Sequence, residues 1–346
     1  MSKKQNSRTK MAALLMSTAL VAAACGSDTS AAVEAEAADA AAAEVVDEEA
    51  MEDDEEAMAD DEEAMADDEE AMADDEGLSP NVALEFTGLE PLGEDFQYEG
   101  WVIVEGAAIS TGRFTIEEID GERTYHAGSE ATDEDLAVAT DFVLSIEPAV
   151  DDDPAPALAK PLGGPIVDGV AELSVAHPAA LGNDFATAAG QFILASPTTE
   201  DTNDDLSGVW FLEVTNDGPV AGLELPELPA GWVYEGWAVI DGQPVSTGRF
   251  VDPTAADDFS GFSGADADAP PFPGEDFIQN APAGLEFPTN LEGSTIVISI
   301  EPETDDSEAP FAFKPLATEV AEGTAPATAV ELGAGPGFPS GTATLN

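Results

Sequence analysis

The stretch Tyr98-Glu99-Gly100-Trp101 decides the fold, because it returns later in the chain as Tyr234-Glu235-Gly236-Trp237. The two copies lie 136 residues apart. At the same shift, Ser110-Thr111-Gly112-Arg113-Phe114 becomes Ser246-Thr247-Gly248-Arg249-Phe250. Two matched segments on one shift indicate an internal duplication.

The duplication continues at a second shift. Phe142–Pro148 (FVLSIEP) returns as Ile296–Pro302 (IVISIEP), and Lys160-Pro161-Leu162 returns as Lys314-Pro315-Leu316, both 154 residues later. The difference of 18 residues between 154 and 136 predicts an insertion in the second copy. It falls within Val251–Leu285, whose Asp, Gly, Pro and Phe content is typical of a long surface loop.

The repeated segments have the pattern of β-hairpins. Trp101–Val104 and Trp237–Ile240 are β-rich runs, and each is followed by an acidic residue and a glycine, Glu105-Gly106 or Asp241-Gly242. An acid–Gly pair of this kind favours a tight turn, so we expect 109–116 to form the returning strand of the first hairpin.

Further β-rich runs at Phe192–Ala195 and Val209–Val214, with proline and glycine in nearly every gap, predict an all-β chain of tandem antiparallel sandwich modules. We place the first repeat at 82–216 and the second at 220–346. Because the second repeat stops soon after its Lys-Pro-Leu segment, it either lacks strands or shares an interface with the first.

These motifs resemble the extracytoplasmic C-terminal domain of the anti-sigma-K factor family, in which a Y-x-x-W-type strand, a G-x-F hairpin and a V-T-x-E-P strand form a β-sandwich. The resemblance implies a fold for both repeats. It does not imply direct binding of a sigma factor, because the chain has neither the transmembrane helix nor the N-terminal sigma-binding domain of that family.

The N-terminus has the pattern of an export signal. Basic residues are followed by an apolar run from Met11 to Ala24, which is shorter than the ~20 residues that a membrane span needs. Val21-Ala22-Ala23-Ala24-Cys25 resembles a bacterial lipobox. We therefore predict a signal peptide at 1–24 and a lipid on Cys25 that holds the protein to the bacterial membrane, on its periplasmic or cell-surface side.

An acidic, low-complexity segment follows the lipid site within 25–81. Its unit EEAMADD places methionines seven residues apart, at Met51, Met58, Met65 and Met72. Each unit has one weak apolar stripe and adjacent acids without i+4 cations, which argues against a coiled coil. We predict a disordered or transiently helical tether that holds the repeats away from the membrane.

Composition excludes several classes of function. With 9 Lys and Arg against 73 Asp and Glu, the net charge is −64, which repels nucleic acid. One cysteine and two histidines leave little material for disulfides, zinc sites or imidazole catalysis. No G-x-S-x-G, H-E-x-x-H or phosphate-binding loop is present, so we expect no enzyme activity.

The repeated side chains are candidates for anchors of the fold. We expect the aromatic residues to lie in the core and the arginines to pair with acids of their own repeat, instead of forming anion sites. These anchors are Tyr98, Trp101, Arg113, Tyr234, Trp237 and Arg249.

Acidic loops are the candidates for metal binding. Asp151, Asp152 and Asp153 follow the first Glu-Pro pair, and Asp305 and Asp306 lie at nearly the same place in the second repeat. Ca²⁺ prefers six to eight oxygen ligands from such loops, although none has the EF-hand pattern. In so acidic a chain, the alternative is a solvated surface adapted to salt-rich surroundings.

Two repeats on a long tether favour a non-catalytic structural, adhesive or protein-binding role towards an extracytoplasmic protein or envelope component. A Ca²⁺-responsive binding protein is one alternative. A regulator of envelope stress, related to anti-sigma factors, is the other.

Overall fold

The computed structural model describes residues 81–150, 153–267 and 269–346. The signal peptide, Cys25 and the tether lie outside the described residues. Within the first repeat and the segment after it, the strands are β1 (Val82–Thr87), β2 (Phe96–Val104), β3 (Ala107–Ile116), β4 (Arg123–Ala127), β5 (Asp141–Pro148), β6 (Leu162–Val167), β7 (Val170–Leu173), β8 (Ala189–Leu194), β9 (Gly208–Trp210), β10 (Leu212–Thr215) and β11 (Gly218–Ala221).

In the rest of the chain the strands are β12 (Leu223–Glu224), β13 (Trp232–Ile240), β14 (Gln243–Phe250), β15 (Gly274–Asp276), β16 (Thr295–Pro302), β17 (Lys314–Glu319), β18 (Val330–Glu331), β19 (Gly333–Gly337) and β20 (Ser340–Leu345). Among the described residues, helical structure is limited to α1 (Asp133–Val138) and a 3₁₀ turn at Thr202–Asp204. The strands pair antiparallel, which confirms the predicted all-β class. No helix in the described part of the chain is long and apolar enough to cross a membrane.

The predicted hairpins form at the expected turns. Glu105 and Gly106 have φ of +52° and +85°, and Asp241 and Gly242 have φ of +52° and +83°. Positive φ at both central residues is the geometry of a type I′ turn, which matches the twist of the flanking strands. The acid–Gly pairs therefore fix the hairpin register in both repeats.

The two hairpins have the same register. Tyr98 lies opposite Phe114 and Tyr234 lies opposite Phe250. Each hairpin also has a register shift directly before its tryptophan, between Gly100 and Trp101 or between Gly236 and Trp237. The Glu-Pro strand β5 pairs with β2 on one side and with β6 on the other. In the second repeat, β16 pairs in the same way with β13 and β17. Each repeat thus contains one four-strand unit, ordered β3-β2-β5-β6 or β14-β13-β16-β17.

Strands cross between the two repeats. The last strand of the chain, β20, pairs with β1 and β7, and completes an eight-stranded sheet with the order β1-β20-β7-β6-β5-β2-β3-β4. The strand β15 of the second repeat pairs with β9, and β18 pairs with β8. The second repeat therefore shares sheets with the first.

One continuous hydrophobic cluster joins the repeats. The ring of Phe211 is fully buried and packs on the backbone of β13, where a Cβ at Gly236 would lie 2.8 Å from it. In the first repeat, Phe142 covers the equivalent Gly100 at the same 2.8 Å. Because Phe142 is replaced by Ile296 in the second copy, an aromatic ring from the other repeat fills the space.

The predicted strand at 209–214 is interrupted. The strand β9 ends at Trp210 and β10 begins at Leu212. Between them the N–H of Phe211 donates to Pro273 O at 3.0 Å, and its carbonyl accepts from the N–H of Gly222, also at 3.0 Å. Both backbone groups of this residue bond outside the β8–β9 ladder, and this residue separates β9 from β10.

Candidate functional site

The repeated arginines lie beside a buried glutamate of the same repeat. Arg113 Nε is 2.7 Å from Glu99 Oε2, and Glu99 is 2% exposed. Ser110 Oγ donates to the other carboxylate oxygen. Burial raises the pKa of Glu99, although the hydrogen bond from Ser110 and the charge of Arg113 oppose that rise. Such an arrangement stabilises the hairpin and leaves this glutamate little capacity for a ligand.

The second repeat has the same ion pair. Arg249 Nε is 3.0 Å from Glu235 Oε2, and Ser246 Oγ donates to Glu235. The guanidinium also donates to the backbone oxygen of Asp305, which ties the loop after the Glu-Pro strand to the hairpin. Burial raises the pKa of Glu235 too. The arginines thus contact acids of their own repeat.

The tryptophans begin a buried chain of hydrogen bonds across β2 and β5. Trp101 Nε1 donates to Ser145 Oγ at 2.7 Å, Ser145 donates to Glu147, and Glu147 Oε1 accepts from the N–H of Ala157 at 2.8 Å. All three side chains of this chain are buried. Its function is to fix the loop after the Glu-Pro strand against the sheet.

An equivalent chain joins β13 and β16. Trp237 Nε1 donates to Ser299 Oγ at 2.8 Å, Ser299 donates to Glu301, and Glu301 Oε1 accepts from the N–H of Phe311 at 3.0 Å. Burial raises the pKa of Glu301 to about 8. The repeated lysine completes the arrangement, because Lys314 Nζ donates to Phe311 O at 2.6 Å.

The two tyrosines are buried and anchor the segment that leads into each hairpin. Tyr98 donates to Glu90 O and Tyr234 donates to Pro226 O, both at 2.7 Å. Each acceptor lies eight residues upstream. The repeated anchors thus form hydrogen bonds to groups within their own repeats.

A cleft of about 320 Å³ lies between the repeats. We call it the inter-repeat cleft; its walls come from residues 90–96 of the first repeat and from most of 302–311 of the second, with Ile146. Five carboxylates lie along it: Glu90, Glu94, Asp95, Asp305 and Asp306. Leu92, Phe96, Ile146 and Phe311, with three prolines, supply its apolar surface. An apolar cavity with a few charged groups is the usual form of a binding site.

Glu90 is a partly buried acid of the cleft. Its Oε1 accepts from the N–H of Ala312 at 2.6 Å and so joins the two walls. Burial raises the pKa of Glu90; the hydrogen bond from Ala312 and the charge of Lys314 oppose this rise, and the charge of Asp305 adds to it. A cation in the cleft would therefore stabilise charge that the protein itself compensates only in part.

The sequence did not indicate Glu90 or Phe311 as site residues, because neither belongs to a matched motif. The loop that contains Asp305 and Asp306 was predicted as a site, and it does line the cleft. The acidic composition could not predict that the segment 90–96 lies opposite this loop, because the two segments are more than 200 residues apart in the chain.

The aspartates predicted to bind a metal ion do not converge on one site within the described part of the chain. Asp151 and Asp152 lie outside the described residues, and Asp153 Oδ1 accepts from the N–H of Ala155 at 3.0 Å. Among residues 81–150, 153–267 and 269–346, no group of three or more His, Cys, Asp or Glu side chains converges as metal ligands would. Binding of Ca²⁺ stays a prediction.

Comparison with known proteins gives no assignment. No family model, no curated protein and no solved structure matches this chain. The resemblance to anti-sigma-K factors stays a prediction from the short motifs.

Proposed function

We propose that this chain is a non-catalytic binding protein, held by lipid on Cys25 outside the bacterial membrane, which uses the inter-repeat cleft to bind a basic segment of a partner protein. One observation carries the proposal: the repeats meet in a cleft with five carboxylates around apolar walls. Such a surface is complementary to lysine and arginine side chains, whose aliphatic stems pack on apolar groups while their charged ends face acids.

The polar residues of the repeat motifs stabilise the fold by bonding to one another, and this supports a binding role over a catalytic one. The glutamates of both hairpins are held by serine and arginine. In the described part of the chain, none of the side chains that line the cleft is an imidazole or a thiol. The acidic tether would add reach, because like charges extend it away from the membrane surface.

Site-specific photo-cross-linking tests the proposal in the lipidated protein within its own cells. A photoreactive residue replaces Glu94, which is exposed on the rim of the cleft. The matched control replaces Glu213, which is exposed on β10 and does not line the cleft. We expect a discrete protein adduct from position 94 only, weakened at high salt because exposed charges are screened. Equal adducts from both positions, or none from either, would contradict the proposal.

A Ca²⁺ titration of the same protein separates this function from a cation-responsive one. At high monovalent salt, which screens diffuse attraction, we expect no stoichiometric binding. Saturable Ca²⁺ binding that is lost in Asp305→Asn would favour the Ca²⁺-responsive function instead.

A further inference from the structure

The insertion in the second repeat covers a sheet edge. In the first repeat, β4 pairs with β3. In the second repeat, the N–H of Asp258 donates to Arg249 O at 3.0 Å, and Asp258 Oδ1 accepts from the N–H of Arg249 at 2.8 Å. The inserted residues thus occupy the edge of β14 in place of a strand, which fixes their position on the protein.

A cavity of about 240 Å³ opens where this segment meets β9. We call it the insertion cavity. Three of its lining side chains are aromatic: Trp210, Phe259 and Phe272. Trp210 is 2% exposed, and its Nε1 donates to Asp276 Oδ1 at 2.6 Å, so the indole is held in place. Phe259 is 39% exposed and packs edge-on against Phe262, with ring centroids 5.0 Å apart.

Two carboxylates line the same cavity, Asp257 and Asp258. Asp257 Oδ2 accepts from the N–H of Gly274 at 2.8 Å, and Oδ1 accepts from the N–H of Phe259 at 3.3 Å. Burial raises the pKa of Asp257 to about 7, and the charges of Glu275 and Asp258 add to the rise. The cavity wall is therefore both aromatic and acidic.

The other charged side chains near Asp257 already have partners within the protein. On β15, Glu275 accepts from Ser263 and Asp276 accepts from Thr198 and Trp210. On β14, Arg249 is paired with Glu235. None of the described residues that line the cavity is a lysine, an arginine or a histidine.

We propose that the insertion cavity binds a small organic cation of the alkylammonium class, which would lie against the aromatic rings with its charge towards Asp257 and Asp258. Rings attract cations through the negative charge of their π faces, and the attraction grows when the site is desolvated. An anion would be repelled by both carboxylates. A bare metal ion would gain nothing from the rings and prefers more oxygen ligands than two carboxylates supply.

Choline and its neutral isostere 3,3-dimethyl-1-butanol test the proposal on the full chain in detergent. Titrations at pH 8 follow heat and tryptophan fluorescence. We expect saturable 1:1 binding of choline, and binding of the neutral alcohol weaker by about tenfold or more, since loss of a cation–π contact and a carboxylate contact is worth at least ~1.4 kcal/mol. Equal affinity for both compounds, or no saturable binding of choline, would overturn the proposal.

Variants locate the site. Phe259→Leu changes an exposed side chain, and it should weaken choline binding by about threefold to tenfold through loss of the ring. Asp257→Asn should weaken binding further. Glu213→Gln is the matched control, because Glu213 is exposed on β10 and lines neither cavity, and it should leave the choline affinity unchanged. A loss of affinity in Glu94→Gln with no loss in Phe259→Leu would place the cation in the inter-repeat cleft and overturn the assignment.

The pH profile adds a readout that a purely structural role would not give. A cation favours the ionised carboxylate, so choline affinity should rise as pH increases through about 7 and level off above it. In Asp257→Asn that rise should be much smaller. An identical pH profile in the variant would contradict a role for Asp257. The insertion cavity and the inter-repeat cleft have no lining residue in common, so either proposal can fail without the other.

Discussion

Trp101 Nε1 donates a hydrogen bond of 2.7 Å to Oγ of the fully buried Ser145, and this bond joins a side chain of β2 to one of β5. Trp237 and Ser299 repeat the relationship at 2.8 Å. In each repeat the serine hydroxyl in turn donates a hydrogen bond to a buried glutamate. Each serine links a buried tryptophan to a buried glutamate, and this shared role explains why both copies have a serine at the matching position of the Glu-Pro strand.

We predict that Ser145→Ala and Ser299→Ala each lower the free energy of unfolding by about 1–3 kcal/mol, because the indole N–H and the glutamate then lose a buried partner. Ser340→Ala is the control, since Ser340 is exposed on β20 and its loss should cost within about 0.5 kcal/mol. Urea denaturation measures all three. Equal effects for Ser145→Ala and Ser340→Ala would contradict the role of the buried hydroxyl.

Arg113→Met should destabilise the protein by about 2 kcal/mol, less than the ~3–5 kcal/mol of a fully buried pair, because the side chain of Arg113 is 19% exposed. The double variant with Glu99→Gln should recover part of that loss, since no buried charge then lacks its partner. Chemical denaturation of the four proteins in this cycle gives the coupling energy. Additive losses would show that the ion pair does not couple the two strands.

Stability should fall as pH rises between about 5 and 8. The folded-state pKa of Glu301 is raised to about 8 from an ordinary value of 4.5, so the proton stabilises the folded state below pH 4.5, and that contribution is lost as pH rises through 8. One such group changes the free energy of unfolding by at most ~1.4 kcal/mol per pH unit.

Glu301→Gln should make this pH dependence shallower. Urea denaturation from pH 4 to pH 9 at high salt measures the slope, with Glu303→Gln as the control, since Glu303 is an exposed acid two residues after Glu301. If the slope in Glu301→Gln matched that of the unaltered protein, other groups would be responsible.

The two repeats should not fold separately. A fragment of residues 82–216 lacks β20, which pairs with β1 and β7, and lacks β15, which pairs with β9. We expect the isolated fragment to show no near-ultraviolet circular dichroism of fixed tryptophans, and to regain it when mixed with 220–346. A cooperative unfolding transition in 82–216 alone would show that the repeat is self-sufficient.

Cys25 should carry the membrane anchor. Mass spectrometry of the mature protein is expected to find an acylated N-terminal Cys25, and detergent should be needed to extract the protein. In Cys25→Ser the protein should no longer be held by lipid. Membrane attachment that survives this substitution would contradict the anchor.

The sequence by itself determined the duplicated hairpins and Glu-Pro strands. The hairpins depend on residues close in the chain: the β-rich run from Trp101 to Val104, and the acid–Gly turns, whose positive φ is a local property. The 18-residue difference also located the insertion, because it follows from two shifts in the sequence alone.

Only the tertiary structure decided how the repeats combine. The pairing of β20 with β1, the packing of Phe211 on Gly236, and the cleft at Glu90 and Asp305 each join residues far apart in the chain. No local pattern specifies which distant strand fills a sheet edge, since a free edge accepts any strand of suitable register. The strands β15, β18 and β20 of the second repeat pair with strands of the first, and the same contacts bury apolar side chains of both repeats in one cluster.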